Sequence, residues 1–95
     1  MEEYALVKDD QLITLECSLD IIKAVISYRE KVEVKKVSTE SDGEQWQIYA
    51  NGKYTHRSYC ADSDPRRGYT LEEMQKDFNA KELAKMFNYK IYQRL

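Results

Sequence analysis

The sequence predicts an α+β fold: one small antiparallel β-sheet, made of an N-terminal hairpin plus a meander over residues 32–60, packed against one central and one or two C-terminal helices. Three observations predict it. Apolar and polar residues alternate between Val32 and Cys60 around Asn51-Gly52, a strong hairpin signal. Apolar residues recur at helical spacing after Ser18 and again after Thr70. Three Gly and one Pro in 95 residues leave no linker, so a single compact domain over 1–95 is expected.

The elements follow in order. Tyr4-Ala5-Leu6-Val7 and Leu12-Ile13-Thr14-Leu15 flank Lys8-Asp9-Asp10-Gln11, whose aspartates favour a turn, and this reads as a β-hairpin. Ser18 caps a helix over about 19–30 that carries Leu19, Ile21, Ile22, Val25 and Ile26, with Asp20 at the positive end of its dipole. Its β-branched residues lower its propensity, so packing must hold it. Val32 opens a strand, Ser41-Asp42-Gly43 supplies a turn, and Trp46 to Ala50 leads into the Asn51-Gly52 turn and a return strand from Lys53 to about Tyr59. A regular two-residue hairpin sets Tyr49 opposite Tyr54, Ile48 opposite Thr55, Gln47 opposite His56 and Trp46 opposite Arg57. Trp46, Ile48 and Ala50 share the face expected to be core. Thr70-Leu71-Glu72-Glu73 matches a capping box ahead of Met74 and Phe78, and Asn79 to Glu82 offers a second, so a break is expected near Asn79. Residues 89–95 can extend the helix or return as an edge strand, and their aromatic and β-branched content favours the strand.

Composition excludes several classes. No run of 18 apolar residues is present and Met1-Glu2-Glu3-Tyr4 is acidic, so a cytoplasmic chain that neither spans nor anchors in a membrane is expected. Cys17 and Cys60 lie far apart without a CxxC spacing, which fits reduced thiols, buried or half-buried.

Catalytic chemistry finds no foothold. In a regular strand Cys60 stands about 13 Å from His56, the one histidine, which is too far for a nucleophile and its base. His56, Cys60 and Asp62 match no metal signature, so no metal is expected. The carboxylate pairs Asp9-Asp10 and Glu72-Glu73 have ordinary roles in a turn and a helix first turn. No two Gly lie close enough to cradle a phosphate, and no cofactor or enzymatic activity is expected.

A binding role remains. Net charge is −2, divided as −5 over residues 1–45 and +3 over 46–95. Eight Tyr supply rigid bodies with polar tips, a residue type enriched at protein interfaces. The expected contact surface is Tyr54, Arg57, Tyr59, Arg66, Arg67 and Tyr69, along the return strand and the irregular stretch 61–69, with Glu40, Asp42 and Glu44 next in line. The expected function is a small non-catalytic protein-binding module. In composition it is similar to stoichiometric inhibitors, immunity proteins and anti-defence accessory proteins of phages and mobile elements. The other reading is a small nucleic-acid-binding protein using the same Tyr/Arg surface of residues 54–69.

Overall fold

A computed structural model of the chain describes residues 2–40, 43–60, 74 and 76–94. In chain order the elements are β1 (Glu3–Lys8), β2 (Gln11–Glu16), α1 (Leu19–Arg29), β3 (Val32–Thr39), β4 (Gly43–Ala50), β5 (Lys53–Cys60), α2 (Ala80–Phe87) and β6 (Tyr89–Arg94). The α+β class is as expected, but the strands sort into two three-stranded antiparallel sheets, β2-β1-β6 and β3-β4-β5, rather than one. The chain divides into two compact units, Met1–Tyr28 with Phe78–Leu95 and Arg29–Asp77.

The first unit is built on β1, whose two edges are both paired, one by β2 and the other by β6. Asp9 and Asp10 take φ of 52° and 62°, the left-handed pair that a two-residue hairpin turn requires. The Ser18 hydroxyl accepts the Asp20 amide at 3.1 Å and its carbonyl accepts that of Ile22, starting α1, which buries Ile22 and Ile26. The break near Asn79 is present. Its side chain accepts the amides of Lys81 and Glu82 at 3.1 and 3.2 Å, and Asn88 at φ 61° ends α2 with its amide on the Ala84 carbonyl. One residue after that cap the chain is already in β6. The strand reading of the C-terminal residues therefore holds, and β6 is an edge strand. Tyr4 and Leu6 of β1, Tyr89 of β6, and Ala80, Leu83 and Ala84 of α2 are buried. Lys8 ties the C-terminal end of α2 down: its ammonium donates to the Phe87 carbonyl at 3.1 Å and sits 4.5 Å from the Tyr89 ring centroid.

The sheet of the second unit is a meander with β4 in its middle. Asn51 and Gly52 take φ of 53° and 79°, and the Asn51 amide donates to the Glu30 carbonyl at 2.9 Å. The expected register survives for one pair beyond the turn, Tyr49 opposite Tyr54, and then slips: Ile48 faces Arg57, Gln47 faces Ser58 and Trp46 faces Tyr59. Thr55 and His56 are the two extra residues, and His56 at φ 65° takes the backbone turn. Ile48 and Ala50 are buried as expected, whereas Trp46, two residues nearer the strand's start, is half-buried with the Lys36 ammonium 5.4 Å from its ring. Met74 is helical and buried. The capping box at Thr70–Glu73 and the turn residues Ser41 and Asp42 lie outside the described residues.

Candidate protein-interaction surface

Strand alternation sends Tyr4, Leu6 and Lys8 to one face of the first sheet and Glu3, Ala5 and Val7 to the other. The second face is open. Cross-strand pairing lays Leu15, Ala5 and Tyr92 in one row across the three strands, and Leu12, Val7 and Lys90 in the next. Leu12, Leu15 and Tyr92 are 58%, 51% and 55% exposed, with half-buried Ala5 and Val7 between them.

The row of leucines exists because of one irregularity. Leu12 and Leu15 are three residues apart, which in a regular strand puts them on opposite faces. Between Leu6 and Val7 the register shifts by one: Leu6 pairs with Thr14 and Val7 with Leu12, leaving Ile13 as the extra residue. This bulge turns Leu12 to the side of Leu15. Neither leucine was expected at a contact surface, since alternation alone separates them and no glycine marks the bulge.

Charge frames the patch unevenly. Glu3 and Arg94 pair beyond the Leu15–Tyr92 row, and Lys90 and Arg94 give the β6 edge a positive border. At the opposite corner a depression of about 230 Å³ is lined by Glu2, Glu3, Leu15, Glu16 and Cys17. Past the Leu12 row, Asp9, Asp10, Asn88 and Lys90 line a smaller one of about 190 Å³ with Val7. On the other face of the sheet a groove of about 350 Å³ runs between Leu19, Lys81, Lys85 and β6, with Tyr4 at its wall. The Tyr4 phenol donates to Glu2 at 2.7 Å; that bond, then burial and the carboxylate's charge, hold its pKa above the ordinary value. On α1, burial pulls Lys23 below the usual lysine range, partly offset by the negative charge of Asp20.

The surface expected from the sequence is distributed differently. Tyr54 pairs with Tyr49, on the opposite face of its sheet from Arg57 and Tyr59, which pair with Ile48 and Trp46. All three are half-buried. Arg66, Arg67 and Tyr69 lie outside the described residues, as does Asp42; Glu40 and Glu44 are exposed, Glu44 with Lys36 at 3.2 Å. The face of Tyr54 carries a row of rings: Lys35 lies 4.5 Å from the Tyr49 ring, Tyr49 5.5 Å from Tyr54, and Tyr54 5.0 Å from His56. The Tyr49 hydroxyl donates to Gln47 at 2.8 Å and the Gln47 amide to Gln45 at 3.2 Å, so this face is a polar ladder.

Both cysteines are free and exposed, contrary to the buried or half-buried thiols expected: Cys17 stands just past the end of β2 and Cys60 ends β5 opposite Gln45. Among the described residues no three of His, Cys, Asp and Glu gather as a metal site, and no helix is long and apolar enough to cross a membrane. Comparisons with models of protein families, with curated proteins and with solved structures each found no match.

Proposed function

We propose that this chain is a non-catalytic protein-binding module and that the outer face of the β2-β1-β6 sheet is its contact surface. The observation that carries the reading is the exposed Leu15–Ala5–Tyr92 row with Leu12 beside it. A one-sided antiparallel sheet ordinarily turns polar residues to water. Burying what Leu12, Leu15 and Tyr92 leave exposed is worth roughly 2 kcal/mol each. That sum sits near the low end of the association cost, about 4 to 15 kcal/mol, so the face suits a contact of modest affinity completed by its charged border. Small size and a Tyr-rich composition fit a stoichiometric inhibitor, an immunity protein or an anti-defence accessory protein within this class.

A second reading, nucleic-acid binding, draws on the Lys35, Tyr49, Tyr54 and His56 row, since stacked rings beside a cation suit unpaired bases. Salt and surface variants separate the two. Capture experiments with the tagged chain, with and without nuclease, are expected to retain a protein in moderate salt and to lose it with Leu12→Asp plus Leu15→Asp. Retention of nucleic acid, lost steeply with salt and on Tyr49→Ala with Tyr54→Ala, would overturn the proposal in favour of the second reading.

A further inference from the structure

Resting on the protein-binding reading above, we infer that the partner of the β2-β1-β6 outer face is a second copy of this chain, related by a two-fold axis parallel to β1. The argument is the arrangement of charge around the apolar rows. The β6 border is positive through Lys90 and Arg94. The β2 side is negative at both ends, through Glu2, Glu3 and Glu16 at one and Asp9 and Asp10 at the other.

A face-to-face pair of sheets with aligned strands has two simple two-fold arrangements. An axis across the strands sets β6 over β6, with Lys90 and Arg94 of one copy against the same residues of the other, and like charges oppose it. An axis along the strands exchanges the edges, so that β2 of each copy lies over β6 of the other. Leu15 then meets Tyr92, Arg94 comes over the acidic corner of Glu3 and Glu16, and Lys90 comes over the Asp9-Asp10 end. Every apolar row meets an apolar row and each positive border meets a negative one, twice over by symmetry. The patch measures roughly 14 by 20 Å from three strands of six residues, smaller than a standard interface, so the dimer forms reversibly at high concentration.

Sedimentation velocity over about 1 to 500 µM tests this, with circular dichroism confirming the fold of each variant. The wild-type chain is expected to move from monomer to dimer across the range. Arg94→Glu makes both borders of the face acidic, and Glu3→Lys with Glu16→Lys makes both basic, so each variant alone is expected to dimerise at least about tenfold more weakly. Mixing the two restores opposite charge at both contacts, and a heterodimer is expected to return. A wild-type chain that stays monomeric throughout, or a dimer indifferent to these charge changes, would overturn the inference. If that monomer still captures a different protein through Leu12 and Leu15, the binding reading stands and only the choice of partner falls.

Discussion

The hydroxyl of Thr55 donates to the carbonyl of Ile48 at 2.7 Å, although the residue that pairs with Ile48 across the ladder is Arg57. The side chain thus supplies a donor where two extra residues interrupt the strand, and the Arg57 amide in turn donates to the Thr55 oxygen at 3.4 Å. Replacing Thr55 by Val keeps the shape and removes the donor. Thr55→Val is expected to cost about 1 to 2 kcal/mol in urea denaturation, and Thr55→Ser to recover most of it. Equal losses for Val and Ser would mean that the methyl group, rather than the hydrogen bond, holds the bulge.

The half-burial of Trp46 changes what its deletion should do. From the strand pattern alone a fully buried tryptophan predicts a loss of about 3 to 5 kcal/mol. With part of the ring open to water and Lys36 over it, Trp46→Ala is expected to cost about 1 to 3 kcal/mol, less than Ile48→Ala on the same face at about 2 to 5. Comparing the two variants by urea melts checks the order. A larger loss at Trp46 would contradict the partial exposure.

Helix α2 depends on its ends more than on its eight residues, too few to be stable by propensity. Asn79→Ala removes the acceptor for two amides and is expected to cost about 1 kcal/mol. Asn88→Gly, at a left-handed position that glycine adopts freely, is expected to be neutral or slightly stabilising. Thermal melts of the two variants should therefore move apart. A destabilised Asn88→Gly would show that the asparagine side chain, and not only its backbone conformation, matters there.

These local features were legible because a few residue types carry them. Asn51-Gly52 and Asp9-Asp10 accept left-handed backbone, Ser18 and Asn79 supply cap acceptors, and Tyr89 to Arg94 has strand composition. What escaped the sequence is pairing between distant residues. Glu3 facing Arg94 joins the two ends of the chain, and nothing local to either strand specifies that partner over the meander. The slips at Ile13 and at Thr55-His56 escaped for a related reason: both bulges lack glycine, so the strands read as regular. The second slip spans two residues and keeps the alternation, leaving Ile48 in the core. The first spans one and reverses it, creating the surface with Leu12 and Leu15.

Alkaline pH should act on Tyr4. Its pKa is raised by the hydrogen bond to Glu2 first, with burial and the carboxylate's charge adding to it. Folded Tyr4 therefore holds its proton more tightly than the unfolded chain, whose tyrosines titrate near pH 10. The stabilisation is fully present below about pH 10 and is lost as pH rises through the folded value. Glu2→Ala is expected to shift one tyrosine's ionisation, followed by absorbance near 295 nm, to lower pH. An unchanged titration curve would show that the carboxylate does not set it.

The most informative prediction separates surface from core within one strand pair. Leu12 and Leu15 are more than half exposed, whereas Leu6, next to them on β1, is fully buried. Removing an exposed leucine takes little apolar area from the folded protein, so Leu12→Thr and Leu15→Thr should each change stability by no more than about 0.5 kcal/mol; threonine also suits a strand. Leu6→Ala should cost about 2 to 5 kcal/mol, because transfer energy and a cavity add together. Against that background the double variant Leu12→Thr with Leu15→Thr should keep the wild-type urea midpoint and yet weaken association at the outer face at least about tenfold, since two of its three exposed apolar anchors are gone. A stable double variant that associates as tightly as the wild type would move the contact surface away from this sheet. A double variant that loses several kcal/mol would show instead that the leucines are part of the core.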